Sequence, residues 1–359
     1  MIKIGILNIF SGQIGGGEIY YKDICLLLSQ QKNIELKVIT PKLNDLDFNC
    51  IKEQDIIHIQ GIEKNNYKNS LLSILSCVKE IRKLLYQYNF DILIINGDRA
   101  VTLSPFLNLK NTKVIGIRHM PIDSSIKSYL SKISFYKINT LVTISEFHKK
   151  NYLKKTNTQT KIKVIYNSVD FEKFPFTLNK KGIEINYLFI GTLEMRKGIL
   201  DLVQTFKLLI EKYDDINLNI VGDGPLFNEI NEFIKINNLC EKVKLHGHQT
   251  NVYSYIKNNH ILILPSYNEG LPLVVLESFS VGRAVISTNI AGIPEIINNG
   301  INGFLIKPGD KEALYKYMEF FIKNNNKIFS MGENAYNSLS EKFSKHYWGK
   351  EWIKVIKEI

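Results

Sequence analysis

The sequence predicts two α/β domains, each a doubly wound parallel sheet with helices on both faces. Short apolar runs recur along the chain, and each is bounded by turn residues and followed by a longer helix-like segment, which is the pattern of β-α units. The length of 359 residues corresponds to roughly two domains at about 150 residues each. A loop-like stretch divides the apolar runs into two series.

The apolar runs predict these strands in order. In the first series they are Ile2–Ile9, Leu36–Thr40, Ile56–Gln60, Ile92–Asn96, Lys113–Arg118 and Thr140–Ile144. In the second series they are Tyr187–Gly191, Ile216–Gly222, Val243–His246, Ile261–Pro265, Ala284–Ser287 and Gly303–Ile306. Helical stretches follow them, for example over 200–212 and 225–237.

The loop-like stretch sets the domain boundaries. We place the first domain at 1–170, a linker at about 171–182 and the second domain at 183–339. The aromatic and basic tail, 340–359, is predicted to be helical and to pack back on the first domain. Because doubly wound sheets bind ligands beyond the carboxyl ends of their strands, two facing sheets predict a site in the cleft between them.

The composition limits the class of protein. A 45% apolar content excludes a disordered or disulfide-stapled chain. The segment 1–175 carries 25 basic and 15 acidic residues, against 21 and 20 in the remainder. This excess in one half predicts an anionic partner, such as a membrane surface, a phosphorylated lipid or nucleic acid; a solvated lysine-rich surface is the alternative.

Cysteine spacing and hydropathy predict a cytoplasmic protein. The cysteines lie far apart and form no C-x-x-C pair, as expected for thiols in a reducing compartment; they are Cys25, Cys50, Cys77 and Cys240. The apolar N-terminus runs into a glycine-rich turn rather than a cleavage site. No apolar run approaches the roughly 18 residues that a membrane span needs.

Two carboxylates eight residues apart, Glu269 and Glu277, straddle a predicted strand-to-helix turn. Pro272 suits the first helical position, which leaves the N–H groups of Leu273 and Val274 for a ligand, and a helix N-terminus presented in this way binds phosphate. The carboxylates would then accept hydrogen bonds from sugar hydroxyls on either side of a diphosphate. Alternatively, Glu269 caps the turn and Glu277 is a solvated helix residue.

The segment from Glu269 to Glu277 resembles the E-x7-E motif of retaining GT-B glycosyltransferases, specifically glycosyltransferase family 4 (glycosyl transferases group 1). The order and spacing of further motifs extend the resemblance over nearly the whole chain. Segments similar to the family are Ile165–Asp170, Gly191–Gly198, Val221–Pro225, Ala291–Ile296 and Asn302–Phe304. The resemblance implies a GT-B architecture of two Rossmann-like domains, the N-terminal one for the acceptor and the C-terminal one for the donor.

The resemblance also implies a role for each matching residue. Glu277 would bind the nucleotide ribose and Glu269 the donor sugar. Lys197, with Arg196 beside it, would neutralise the diphosphate leaving group, where negative charge develops. Family members often have Arg after the first glycine of this loop, where this chain has Thr192. The implied donor-binding set is Gly15, Gly16, Gly17, Gly191, Arg196, Lys197, Gly247, Glu269, Gly270, Leu271, Pro272, Leu273, Val274 and Glu277.

Two features of the first domain add to this set. The glycine run Gly15–Gly17 follows the first strand and allows a close backbone approach to a phosphate or sugar; a plain flexible loop is the alternative. His119 follows a predicted strand, where the family has a histidine that contacts the donor sugar near the reacting carbon; a structural histidine is the alternative. His58, at another strand end, is a sheet-end or acceptor-side residue. The implied catalytic residues are His119, Lys197, Glu269 and Arg196.

We predict no metal cofactor and a possible membrane surface. Asp45–Asp47 spells D-x-D but lies in a polar loop without supporting acids or histidines, which is typical of a surface turn. The segments 67–88 and 124–138 combine basic and apolar residues at helical spacing. Such helices lie in anionic membrane interfaces or pack on a sheet with a solvated basic face.

The family resemblance implies a cytoplasmic, retaining glycosyltransferase, and the basic first half adds a possible peripheral site at the inner face of the cytoplasmic membrane. By analogy with the family, the enzyme would move a sugar from a nucleotide-sugar, with a UDP-sugar favoured and GDP-mannose next, to a lipid-linked sugar acceptor in bacterial surface polysaccharide synthesis (O-antigen, capsule or lipopolysaccharide). Front-face attack assisted by the departing phosphate would retain the configuration, because no enzymic nucleophile is evident. The alternatives are a nucleotide-sugar epimerase and a basic nucleic-acid-binding protein; no nucleic-acid module is recognisable, so we expect no nucleic-acid partner.

Overall fold

The computed structural model describes residues 1–11, 15–41, 48, 51–59, 62–63, 71–109, 111–121, 137–156, 160–178 and 184–359. These residues form two compact units. The first unit comprises Met1–Ile165 together with Gly349–Ile359, and the second comprises Tyr166–Trp348.

The first unit is built on a parallel sheet. Its strands are β1 (Ile2–Leu7), β2 (Phe10–Ser11), β3 (Ile34–Thr40), β4 (Ile56–His58), β5 (Ile62–Glu63), β6 (Ile92–Asn96), β7 (Lys113–Arg118), β8 (Thr140–Thr143) and β9 (Lys161–Val164). Within the described residues seven of them form one sheet in the order β4-β3-β1-β6-β7-β8-β9, while β2 pairs with β5. The helices are α1 (Gly16–Ser29), α2 (Leu71–Tyr88), α3 (Asp98–Thr102) and α4 (Glu146–Lys155).

The second unit repeats this plan. Its strands are β10 (Ile185–Ile190), β11 (Ile216–Val221), β12 (Val243–Leu245), β13 (Ile261–Leu264), β14 (Ala284–Thr288) and β15 (Gly303–Ile306). They form a parallel sheet in the order β12-β11-β10-β13-β14-β15. The helices are α5 (Ile199–Ile210), α6 (Phe227–Ile236), α7 (Val252–Asn258), α8 (Leu273–Ser280), α9 (Lys311–Lys323), α10 (Asn325–Ser338) and α11 (Lys345–Glu358), whose residues from Gly349 onward belong to the first unit.

The central strands form the core of each unit. In β6 and β13 every residue is buried, because helices cover both faces of a parallel sheet, and this explains why these strands are continuous apolar runs. The predicted strands are all present, with boundaries that differ by at most two residues. Strand β9 was not predicted from the sequence, because its Lys-Ile-Lys-Val pattern has two charged positions. It lies at the sheet edge, where it is only partly covered.

The segment placed in the linker and the predicted tail both have defined surroundings. Residues 171–178 of the predicted linker lie in the second unit, where the Arg283 guanidinium donates to the Thr177 carbonyl at 2.7 Å and Ser280 Oγ donates to the Phe174 carbonyl at 2.5 Å. In the tail, Trp352 is fully buried in the first unit. No helix among the described residues is both long and apolar enough to cross a membrane.

Candidate active site

The centre of the predicted donor site is an ion pair between Lys197 and Glu269. Lys197 Nζ lies 2.6 Å from Glu269 Oε1, and the two side chains are 14% and 7% exposed. Lys197 ends a short 3₁₀ turn after β10, and Glu269 lies in the loop after β13. Because β10 and β13 are neighbours in the parallel sheet, the loops at their carboxyl ends meet, which places a buried cation and a carboxylate at the edge where such sheets bind ligands.

A polar chain fixes the Glu269 carboxylate. Ser266 Oγ donates to the same oxygen, Oε1, at 2.8 Å, and Thr288 Oγ1 donates to the Ser266 carbonyl at 2.7 Å. Within the part of the chain that the structure describes, both hydrogen bonds to the Glu269 carboxylate, from Lys197 and from Ser266, end on Oε1. The second carboxylate oxygen of Glu269 is thus left to accept from a ligand hydroxyl.

Two glycines let the loops of this edge approach one another. Gly198 has φ +67°, and a Cβ there would lie 2.1 Å from the Pro265 carbonyl oxygen. Only glycine therefore allows the 3₁₀ turn that ends at Lys197 to pack against the end of β13. At Gly222, with φ +146°, a Cβ would lie 1.9 Å from the Gly191 carbonyl oxygen. The Gly222 N–H donates to the Gly247 carbonyl at 2.8 Å. The predicted donor-site residues Gly191 and Gly247 therefore follow the strands on either side of β11, and Gly222, which follows β11, contacts both.

The helix N-terminus at α8 differs by one residue from the expectation. Pro272 is the N-cap, with extended backbone angles, and the helix begins at Leu273, so the prediction that Pro272 occupies the first helical position is wrong. The shift does not affect the N–H groups of Leu273 and Val274, which belong to the first turn, where a helix has no acceptors of its own. Pro272 accepts from the Val275 N–H through its carbonyl at 3.2 Å.

The loop before α8 is held from two sides. Asn167 Nδ2 donates to the Leu271 carbonyl at 2.5 Å, and the Gly292 N–H donates to the Gly270 carbonyl at 3.1 Å. Asn167 lies in the segment that we matched to the family without giving it a role. The sequence gives little indication of this role, because the residue that Asn167 contacts lies 104 positions away.

Glu277 lies on α8 as a half-buried side chain rather than a solvated one. Among the described residues no group donates a hydrogen bond to its carboxylate and no cation pairs with it. Burial raises the pKa of this carboxyl from 4.5 to about 7. An unpartnered carboxyl with a raised pKa beside a helix N-terminus is a candidate ligand-binding group.

Arg196 is placed differently from Lys197. Its guanidinium is 43% exposed and pairs with Glu194 at 2.7 Å, and it donates to the Asn268 carbonyl at 3.4 Å. The structure therefore brings Lys197 to Glu269 but directs Arg196 to a second carboxylate near the surface.

The predicted residues of the first unit meet around Asn96. The Asn96 amide nitrogen donates to the Gly17 carbonyl at 3.2 Å, and its amide oxygen lies 2.9 Å from Nε2 of His119. With the amide in this orientation, His119 Nε2 carries the proton. The His119 backbone N–H donates to Asp98 Oδ2 at 3.3 Å. Gly15, just before α1, donates its N–H to Glu18 Oε2 at 2.8 Å, and Gly16 opens the helix.

Asn96 and a second histidine, His148, were not predicted from the sequence. Asn96 is a polar residue at the carboxyl end of a buried strand, which is the signal that selected His119. His148 is fully buried on α4, with Nδ1 2.7 Å from Ser145 Oγ. Burial lowers its pKa to about 4, with a smaller contribution from nearby His119, so His148 is neutral at physiological pH.

Several sequence predictions fall on other parts of the chain. His58 is exposed at the end of β4. The D-x-D of Asp45–Asp47 lies outside the described residues, as does most of the segment 124–138. No cluster of three or more potential metal ligands is found among the residues that the structure describes.

The described part of the segment 67–88 is the amphipathic helix α2. One face packs in the core of the first unit. The opposite face exposes basic side chains together with apolar ones; they are Leu75, Lys79, Arg82, Lys83 and Tyr86. We call this face the α2 surface.

Comparison with known proteins identifies two family models along the chain. The model described as Glycosyltransferase Family 4 matches residues 14–173, and the model described as Glycosyl transferases group 1 matches residues 170–338. The two models follow one another and together span both units.

Curated relatives cover much of the chain. It is 29% identical over 293 residues to an uncharacterized glycosyltransferase, MJ1059, of Methanocaldococcus jannaschii, which covers 69% of this chain and 72% of the relative. It is 23% identical over 345 residues to the capsular polysaccharide biosynthesis glycosyltransferase CapM of Staphylococcus aureus, covering 88% and 87%. It is 30% identical over 197 residues, 51% of each chain, to the UDP-Gal:alpha-D-GlcNAc-diphosphoundecaprenol alpha-1,3-galactosyltransferase of Escherichia coli.

Solved structures show the same fold at lower identity. Sucrose-phosphate synthase from Thermosynechococcus elongatus matches with a TM-score of 0.85 and 16% identity, covering 100% of this chain and 99% of that one. Anabaena HepE in complex with UDP-glucose matches with a TM-score of 0.81 and 18% identity over 100% of both chains. The predicted fold class, a GT-B architecture of two Rossmann-like domains, is confirmed.

Proposed function

This chain belongs to the family 4 (group 1) glycosyltransferases, and we propose that it transfers a sugar, with retention of configuration, from a UDP-sugar to a sugar acceptor. The observation that carries the proposal is the buried Lys197–Glu269 pair at the carboxyl edge of the second sheet. It lies in the loops that lead to a helix N-terminus, and the same helix carries the Glu277 carboxyl, which has no partner among the described residues.

In the proposed donor complex each of these groups has one task. The first N–H groups of α8 and the Lys197 ammonium bind the diphosphate, where fixed positive charge stabilises the leaving group. Glu269 accepts from a donor-sugar hydroxyl through its second oxygen, and Glu277 accepts from the ribose hydroxyls. Arg196 adds positive charge at the rim of the site after releasing Glu194.

The proposed reaction proceeds on one face of the sugar. The bond between the anomeric carbon and the phosphate oxygen breaks, and its electron pair leaves on the diphosphate. The acceptor hydroxyl oxygen bonds to the same face of that carbon, and its proton passes to the departing phosphate oxygen. His119, held by Asn96, contacts the sugar, and the backbone of Gly15–Gly17 approaches donor or acceptor. We assign no step to a metal, because Lys197 and the helix N-terminus supply the positive charge.

The choice of donor and acceptor rests on the relatives. One curated relative is named for UDP-Gal and a diphosphoundecaprenol-linked acceptor, another for capsular polysaccharide, and a structural neighbour was solved with UDP-glucose. We therefore propose a UDP-sugar donor, with GDP-mannose as second choice, and a lipid-linked sugar acceptor in surface polysaccharide synthesis. The exposed basic and apolar side chains of the α2 surface suit an anionic membrane that carries such an acceptor.

A ligand-stabilisation experiment tests the donor site. The wild-type protein is heated with UDP-, GDP- and ADP-sugars in EDTA, because a specific ligand raises the melting temperature by mass action. We expect stabilisation by UDP-sugars, and we expect Lys197→Ala and Glu277→Ala to fold yet lose most of it. Stabilisation that requires added Mg²⁺ or Mn²⁺ would contradict the metal-free site, and normal binding by both variants would contradict the residue assignments.

A further inference from the structure

The ring of His119 has a second neighbour besides Asn96. Tyr20, which lies on α1 and is 3% exposed, meets the imidazole edge-on, with ring centroids 5.2 Å apart and an interplanar angle of 80°. Aromatic pairs favour this edge-to-face geometry. The imidazole is thus held at Nε2 by the Asn96 amide and against its ring by Tyr20.

Tyr20 is in turn held by the end of the chain. Trp352 Nε1 donates to the Tyr20 hydroxyl at 3.0 Å, across 332 positions of sequence, and the two rings lie 6.2 Å apart. The Tyr20 hydroxyl donates to the Ile165 carbonyl at 3.5 Å. Trp352 is fully buried in the first unit. This hydroxyl therefore receives one hydrogen bond and gives another in a buried setting.

Both contacts of the His119 imidazole, with the Asn96 amide and with the Tyr20 ring, depend on α1. Gly17, which accepts from Asn96, and Tyr20 lie one helical turn apart. A shift of α1 would therefore move the amide contact and the ring contact together. The Trp352–Tyr20 hydrogen bond ties that turn of α1 to α11, the last helix of the chain.

We call the contacts from Trp352 through Tyr20 to His119 the relay. From it we propose that Tyr20 and Trp352 are positioning residues for His119, so that the last helix of the chain sets the orientation of the imidazole. The inference rests on the proposed contact of His119 with the donor sugar. Neither residue touches substrate. Weakening the relay lowers kcat and leaves the donor KM nearly unchanged, since the donor-binding groups of the second unit are untouched.

The experiment uses the full chain with Trp352→Phe and Tyr20→Phe. These variants keep a ring in place and remove either the indole donor or the phenol hydroxyl. The readouts are hydrolysis of UDP-glucose, with water as acceptor, and the imidazole ¹⁵N signals of His119 in histidine-labelled protein. We expect kcat to fall about tenfold, the KM for UDP-glucose to stay within about twofold, and the His119 signals to shift.

Tyr21→Phe is the matched control. Tyr21 is a fully buried tyrosine on the same helix, but its hydroxyl donates to the Ile39 and Ile6 carbonyls at 3.1 and 3.4 Å. The Tyr21→Phe variant should lower the melting temperature without changing kcat or the His119 signals. If Trp352→Phe lowers only the melting temperature, as the control does, the positioning role is overturned.

A His119→Ala background distinguishes a failure of the positioning role of Trp352 from a failure of the proposed role of His119. In that background Trp352→Phe should cause no further loss of kcat, because coupled residues are not additive. If His119→Ala alone leaves kcat unchanged, the proposed role of His119 fails. The ¹⁵N signals of the Trp352→Phe variant still decide independently whether the last helix orients the imidazole.

Discussion

Donor affinity should increase as pH rises through about 7, because Glu277 must ionise to bind ribose. Burial raises the pKa of this carboxyl to about 7, and no described group pairs with it. Accepting hydrogen bonds from two ribose hydroxyls requires the carboxylate form, since a protonated carboxyl keeps one oxygen as a donor. Donor binding therefore selects the ionised protein and releases a proton wherever the free carboxyl is protonated.

The size of the effect follows from the pKa. With a value of about 7, about 9% of the carboxyl is ionised at about pH 6 and about 91% at about pH 8. The apparent Kd scales inversely with the competent fraction, so it should fall about tenfold over this range. Further acidification should weaken binding by about tenfold per pH unit, down to the pKa of the complex.

The assay is titration calorimetry with UDP-glucose, whose diphosphate is esterified at both ends and does not titrate in this range. Glu277→Gln is the matched variant, because its amide has similar shape and no charge to titrate. We expect weaker binding by the variant and a flat pH profile. A wild-type Kd independent of pH would refute the reasoning. The same pH profile in Glu277→Gln would assign the titration to another group.

Three further predictions concern stability. Lys197→Met and Glu269→Gln should each lower the free energy of unfolding by about 3 kcal/mol, since each removes half of a mostly buried ion pair; in urea unfolding the double variant should lose less than the sum, and additive losses would contradict a direct pair. Gly198→Ala should cost about 2 kcal/mol, because its backbone is left-handed and a Cβ would meet the Pro265 carbonyl; an unchanged melting temperature would argue against this geometry. Arg283→Met should cost about 3 kcal/mol, because the partners of the buried guanidinium among the described residues are backbone carbonyls, which would lose their donor; the urea midpoint measures this, and Arg283→Lys should recover little of the loss.

The residues of the second unit that we predict to bind the donor could be selected from the sequence because they lie in short contiguous segments. Lys197 is one residue from the glycine that its turn requires, and Glu269 and Glu277 flank one loop and one helix. A parallel sheet brings the carboxyl ends of neighbouring strands together, so the topology suffices to predict that these segments meet. The exact first residue of α8 could not be predicted, because proline is compatible with both the N-cap, where Pro272 lies, and the first helical position.

The surroundings of His119 could not be predicted in this way. Asn96, Tyr20, His148 and Trp352 lie on four different elements. Asn96 stands at a strand end, as His119 does, but Tyr20, His148 and Trp352 stand in no pattern that distinguishes them from ordinary core residues. Asn167 is similar, since its partner is a backbone carbonyl that carries no sequence signal. Such contacts depend on helix packing and side-chain direction, which periodicity does not encode.

Local chemistry in the chain was therefore enough to specify two doubly wound sheets, their order and the segments that carry charge to one edge of the second sheet. Hydrophobic periodicity and glycine placement act over a few residues, and for that reason they can be recognised in the amino-acid sequence. The tertiary structure alone decided that Lys197 pairs with Glu269, whereas no described residue pairs with Glu277, whose pKa is raised. It also decided that Trp352 supports the histidine through Tyr20, because burial and partnership are properties of the packed chain.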